Sequence, residues 1–85
     1  MKFLHWEFDL EAGDVLQVEL NKQANVRLLD GNNFHAYRTG RQHRYHGGLA
    51  KQSPVRLPAP HAGRWHIVVD LGGYAGSVQA NVTVI

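Results

Sequence analysis

Apolar and polar residues alternate along most of this chain. Over residues 2–10, Leu4, Trp6, Phe8 and Leu10 fall on one side and His5, Glu7 and Asp9 on the other, the period of a strand with one wet face. Glu11-Ala12-Gly13-Asp14 reads as a turn, and residues 15–20 alternate again, with Leu16, Val18 and Leu20 opposite Gln17 and Glu19. The two segments are expected to form a hairpin. After a break at 21–24, residues 25–30 resume the pattern with Val26 and Leu28 inward, before Asp30-Gly31-Asn32-Asn33 turns the chain.

Residues 34–49 have no sustained period and contain Gly40, Gly47 and Gly48. They are expected to form one long central loop, with a single helical turn at 33–37 capped by an Asn side chain. Loops of that length inside a compact domain are usually functional or partly mobile. Pro54 and Pro58 bracket Val55-Arg56-Leu57, which places that short strand at a sheet edge, where a missing N–H does little harm. Residues 64–71 carry the strongest strand pattern, with Trp65, Ile67, Val69 and Leu71 opposite Arg64, His66, Val68 and Asp70. Gly72-Gly73-Tyr74-Ala75-Gly76 is expected to be a tight hairpin turn into a last strand over 77–85.

Short alternating strands joined by glycine turns define the fold class: all-β, a small antiparallel sandwich, jelly-roll-like, or a partly open barrel of about six to eight strands. With 85 residues there is room for one domain, 1–85. Hydrophobic residues at 44% against 19% charged exclude a disordered chain. The absence of cysteine removes disulfides, thiolate metal sites and cysteine nucleophiles, and fits a reducing compartment. Glu7 and Asp9 interrupt the opening MKFLHWEFDL before it resembles a signal peptide, and no run approaches a membrane span. A cytoplasmic protein with no membrane contact is the expectation.

Charge is unevenly distributed. Residues 1–30 hold three cations and six acids, whereas residues 31–69 hold Arg38, Arg41, Arg44, Lys51, Arg56 and Arg64, five of the six histidines, and no acid. The centre of this stretch is RQHRYHGG, residues 41–48. Arginine forks pair bidentately with phosphate, glycines admit backbone N–H groups, and a tyrosine can stack on a base. Arg38, Arg41, His43, Arg44 and Tyr45 are therefore the candidate contacts for a phosphate-bearing or other small anionic ligand. Protonation of histidines below about pH 6.5 would strengthen such binding. The competing explanation is that the cations face the acids of residues 1–30 and give the domain a self-complementary surface.

Other chemistries have less to carry them. Structural zinc would need four ligands, and His35, His43, His46 and His61 come with three arginines and neither cysteine nor acid; no metal and no cofactor is expected. VVDLGGYAG imitates a phosphate loop, but a strand follows it where a helix is required. A net charge of +2, without a recognition helix or an RNA-binding aromatic signature, argues against nucleic acid. Neither Ser53 nor Ser77 lies in a nucleophile elbow, so no enzymatic activity is expected. Glu7, Asp9, His66 and Asp70 would converge if the first and sixth strands paired, although alternating charge usually marks a solvated sheet face. The alternative function is docking of a protein partner, or homodimerisation, through aromatic and edge-strand surface.

MKFLHWEFDLEAGDV, VRLLDGNNF, YRTGRQHRYHGG, SPVRLPAPHAGRWHIVVDLGGYAG and the terminal strand together resemble a family of small bacterial domains of unknown function. Its members occur alone or N-terminal to TIR domains. The resemblance implies an accessory or sensing module and supplies no catalytic residues. Within it, Pro60-His61-Ala62-Gly63-Arg64-Trp65 is similar to a corner of ligand-binding jelly rolls.

Overall fold

The computed structural model describes residues 2–85. They form β1 (Leu4–Leu10), β2 (Val15–Leu20), β3 (Ala24–Leu29), α1 (Gly31–Arg38), β4 (His46–Ala50), β5 (Val55–Pro58), β6 (Gly63–Asp70) and β7 (Ala80–Val84). One sheet has the order β1-β6-β3-β4 and the other β5-β2-β7, with every pairing antiparallel. This is the small all-β sandwich expected, and each sheet keeps two edges, so it is not a closed barrel. None of the described helical residues form a helix long and apolar enough to cross a membrane.

Alternation put the core residues where they were expected. Val26, Leu28, Trp65, Ile67 and Val69 of the first sheet meet Leu16, Val18 and Val82 of the second, with Trp6 and Phe8 packed against them. Each fully buried aliphatic side chain contributes about 1.5–3 kcal/mol relative to exposure, so this inter-sheet layer carries much of the stability. β5 lies at a sheet edge, as its flanking prolines required.

Connectivity differs from expectation in two places. β1 and β2 do not form a hairpin: β1 pairs along its whole length with β6, Leu4↔Val69 to Leu10↔Gly63, while β2 pairs with β5 and β7 in the other sheet. The turn between them is closed by Asp14 Oδ2, which accepts from Glu11 N at 2.8 Å, and it carries the chain across the core. Residues 72–76 also cross between sheets and make no hairpin. Two strands with one apolar face each bury it as well by stacking across a core as by pairing edge to edge. The last strand has five residues, Ala80–Val84, and just before it Asn21 N donates to the Gln79 carbonyl and Gln79 N to Asn21 Oδ1.

The middle of the chain is more ordered than a loop. Asp30 Oδ1 accepts from Asn33 N at 2.8 Å and caps an eight-residue helix, so the cap is this aspartate and not an asparagine. A capping side chain has to precede the first turn, and Asp30 does. Residues 46–50 form β4, in register with β3 from Ala24↔Ala50 to Leu28↔His46. Gly47 makes this approach feasible: its φ is +111°, and a Cβ there would run into the Val26 carbonyl oxygen. The true loop is confined to residues 39–45.

α1 folds back onto the outer face of the four-stranded sheet. Phe34 and Tyr37 pack with Leu29 and Val68, and Phe3 closes over them. As a result β6 is buried on both faces from Trp65 to Asp70, and His66 and Asp70, expected on a solvated face, lie inside.

Candidate functional site

The covered outer face is organised by a buried carboxylate. Asp70 Oδ2 accepts from the Tyr37 hydroxyl at 2.6 Å and from Arg27 Nη1; Oδ1 accepts from Asn25 Nδ2 at 2.9 Å and Gly72 N at 2.8 Å. Burial pushes the Asp70 carboxyl up, but the donors from Tyr37, Asn25 and Gly72 and the Arg27 charge outweigh it and hold it below the usual range. The same burial, reinforced by Asp70, pushes the Tyr37 phenol well above its usual value. An ionised carboxylate thus ties α1, β3, β6 and the 72–76 crossover to one point.

The basic loop is anchored to this network. The Arg27 guanidinium lies 5.5 Å from the Tyr37 ring centre and 5.1 Å from that of Tyr45, a cation held between two aromatic faces. His43 meets Tyr37 edge-on at 5.2 Å and sits 5.6 Å from Tyr45. Arg44 N donates to Asn33 Oδ1 at 2.8 Å, and Arg41 N to the Ala36 carbonyl at 2.8 Å. Of the five candidate residues, His43 is half-buried against Tyr37, and Tyr45 lies over Arg27 with 44% of its surface exposed, while Arg38, Arg41 and Arg44 are exposed.

Those arginines do not serve the acids of residues 1–30. Among the described residues, Arg64 alone of the six cations in the acid-free stretch has ion pairs, with Glu7 Oε2 at 2.8 Å and Asp9 Oδ1 at 3.2 Å. Arg56 bonds to Gln17, Arg41 Nε to Thr39 Oγ1, and Arg38 sits over the Phe34 ring and against His35.

β1 and β6 do pair, and they bring together a set of residues of which the sequence indicated only part. Glu7 stands opposite His66, and His5 is two residues earlier on the same face. His5 Nε2 and His66 Nδ1 are 2.9 Å apart in a hydrogen bond, with Glu7 Oε1 3.9 Å from the first and 3.8 Å from the second. Phe34 lies flat over both imidazoles, at 4.1 Å from His5 and 4.4 Å from His66. Burial is the main force lowering both histidines below their usual value, opposed by Glu7 in each case. Glu7 is itself lowered, chiefly by its hydrogen bond from Arg64. Among the described residues, these three could hold a metal ion; His5 was missed because its role depends on a partner 61 positions away.

Two grooves flank the 72–76 crossover. One, of about 800 Å³, runs between Phe3, Leu4, Val69, Leu71, Tyr74 and Val78; the other, of about 410 Å³, is bounded by Asn25, Leu49 and Tyr74. Neither is lined by Arg38, Arg41, His43, Arg44 or Tyr45. Tyr74 is 83% exposed between them.

The chain has no significant match among curated proteins or among solved structures. Over residues 1–85, its whole length, it matches the model of the Domain of unknown function (DUF1883), and it belongs to that family.

Proposed function

We propose that this domain is a non-enzymatic binding or sensing module for a phosphate-bearing or other anionic ligand, engaged by Arg38, Arg41 and Arg44. The observation that carries the reading is that these three cations project from an anchored helix end and loop with no acid to satisfy them. Long cationic side chains lose rotamer freedom on binding, so a fixed backbone beneath them lowers the cost of engagement. His43 and Tyr45 contribute by pinning the loop to Tyr37 and Arg27. Neither groove reaches these arginines, which suits contact with phosphate oxygens more than enclosure of a whole small molecule. No residue is assigned a catalytic role. Attachment to a TIR domain in longer relatives, which the sequence resemblance implies, fits an accessory module of this kind.

The test is a thermal-shift titration with inorganic phosphate, nucleotides and sugar phosphates at several salt concentrations. Ligand at 100-fold its dissociation constant stabilises by about 2.7 kcal/mol, a rise of roughly 10–20 °C in a domain this small. The shift should shrink with salt and vanish in the Arg41→Ala, Arg44→Ala double variant. A flat response to every phosphate compound would refute the reading.

A second reading is favoured by Tyr74, whose ring stands in solvent between two apolar grooves. Self-association through that surface would appear in sedimentation as a concentration-dependent dimer, abolished by Tyr74→Ser.

A further inference from the structure

The outer face of the β1–β6 pair, beneath Phe34 of α1, gathers two imidazoles and a carboxylate in an arrangement that the anion reading does not use. We propose that His5 Nε2, His66 Nδ1 and Glu7 Oε1 form a binding site for a divalent first-row transition ion of the zinc type, with water completing the coordination.

Distance is the first support. The three donor atoms are separated by 2.9, 3.8 and 3.9 Å. A point about 2.1 Å from all three exists, the length of zinc bonds to imidazole and carboxylate. Ideal tetrahedral ligands at that length stand about 3.4 Å apart, so shifts of about half an ångström bring the trio into that geometry.

The ligand set is the second. Two histidines with one carboxylate, and remaining positions open to water, is an established donor combination for zinc and for non-haem iron. Glu7 is 42% exposed and His5 25%, which leaves room for that water.

The surroundings hold the donors in place. Arg64 grips Glu7 through the other oxygen, Oε2, leaving Oε1 turned toward the imidazoles. The Arg64 charge is also met by two hydrogen bonds to Asp9, so the ion does not face an uncompensated guanidinium there. Phe34 fixes the planes of both rings, and Arg38 lies against Phe34 as well.

The position is now held by a hydrogen. The two rings lie nearly end to end, because their centre separation of 5.1 Å is close to the largest that the N–N distance of 2.9 Å and the two ring radii allow. Metal entry breaks this N–H···N bond and turns the rings toward Glu7. The displaced proton moves through solvent to the far nitrogen of the donating ring, so two neutral histidines remain neutral and no net proton is released.

The test is titration of tag-free protein with zinc, followed by calorimetry, and with cobalt(II), followed by its visible absorption. One ion per chain is expected. His5→Ala and Glu7→Gln should each weaken binding at least about tenfold, and His46→Ala with His61→Ala, which removes two exposed histidines elsewhere, should leave it unchanged. Imidazole nitrogen NMR of the unaltered protein gives a readout independent of variant folding: zinc should move the resonances of His5 Nε2 and His66 Nδ1 together. Absence of binding, binding that survives in both single variants, binding lost with His46 and His61, or unmoved His5 and His66 resonances would each overturn the proposal.

Discussion

Tyr37 of α1 donates its hydroxyl hydrogen to Asp70 Oδ2 at 2.6 Å, so the helix is fastened to a carboxylate that β6 has buried. Tyr37→Phe removes one donor and leaves that oxygen with Arg27 alone, at a cost of about 1–3 kcal/mol. Asp70→Leu removes the charge that Arg27, Tyr37 and Asn25 all serve, and should cost about 3–5 kcal/mol. Urea unfolding of the two variants distinguishes them. Equal stabilities for Tyr37→Phe and the parent would show that the bond does not hold the helix.

Val68 is fully buried although it belongs to the face that alternation assigns to solvent. Val68→Thr keeps the shape and adds a hydroxyl that finds no water beneath Phe34 and Tyr37, so a loss of about 1–3 kcal/mol is expected. Leu49→Thr, at a position 55% exposed, should change stability by no more than about 0.5 kcal/mol. A neutral Val68→Thr would mean that α1 does not cover the sheet.

Gly47 and Gly48 both have positive φ, but they differ in what surrounds them. Alanine at either position is strained by about 1–3 kcal/mol from backbone conformation. At Gly47 the new methyl also meets the Val26 carbonyl, while Gly48 opens onto free space. Gly47→Ala should therefore be the more destabilising, with faster amide hydrogen exchange along β3 and β4. The reverse order would contradict this strand pairing.

Stability should fall in two stages on acidification. His5 and His66 are held below their usual value by burial, and the charges facing them are Glu7 of β1, Arg64 of β6, Arg38 of α1 and Asp30 at its cap. Between their folded values and 6.5 the unfolded chain binds more protons, so stability declines as pH falls through this window, by at most about 1.4 kcal/mol per pH unit for each histidine. Asp70 contributes stability that is present above 3.8 and is lost as pH drops through its lower folded value. Urea midpoints between pH 8 and 4.5 that stayed constant would rule out the first stage. His5→Gln should flatten part of that slope.

Arg41→Ala and Arg44→Ala should leave the unfolding midpoint unchanged, since neither side chain meets an acid. Arg27→Ala, in contrast, should unfold at lower urea and release the loop, because it strips Asp70 of its cation and Tyr45 of its stacking partner. If the exposed arginines proved as destabilising as Arg27, the distinction between anchor and contact would fail.

Six of the seven strand segments, the inward set of Val26, Leu28, Ile67 and Val69, and the edge position of β5 were determined by the order of residues. A period of two records which side of a strand is dry, and proline records where a donor is not needed. The concentration of cations over residues 31–69 is likewise a property of the chain alone. Tertiary structure decided the rest. Periodicity does not identify a strand's neighbour, so the crossing of β1 to β2 and of β6 to β7 between sheets was invisible, and β4 was hidden by glycines that permit its close approach to Val26. A helix only eight residues long was enough to bury the second face of β6 and turn Asp70 from a surface acid into an internal anchor. The grouping of His5, Glu7 and His66 depends on the antiparallel register of strands from opposite ends of the chain, and no local pattern encodes a register.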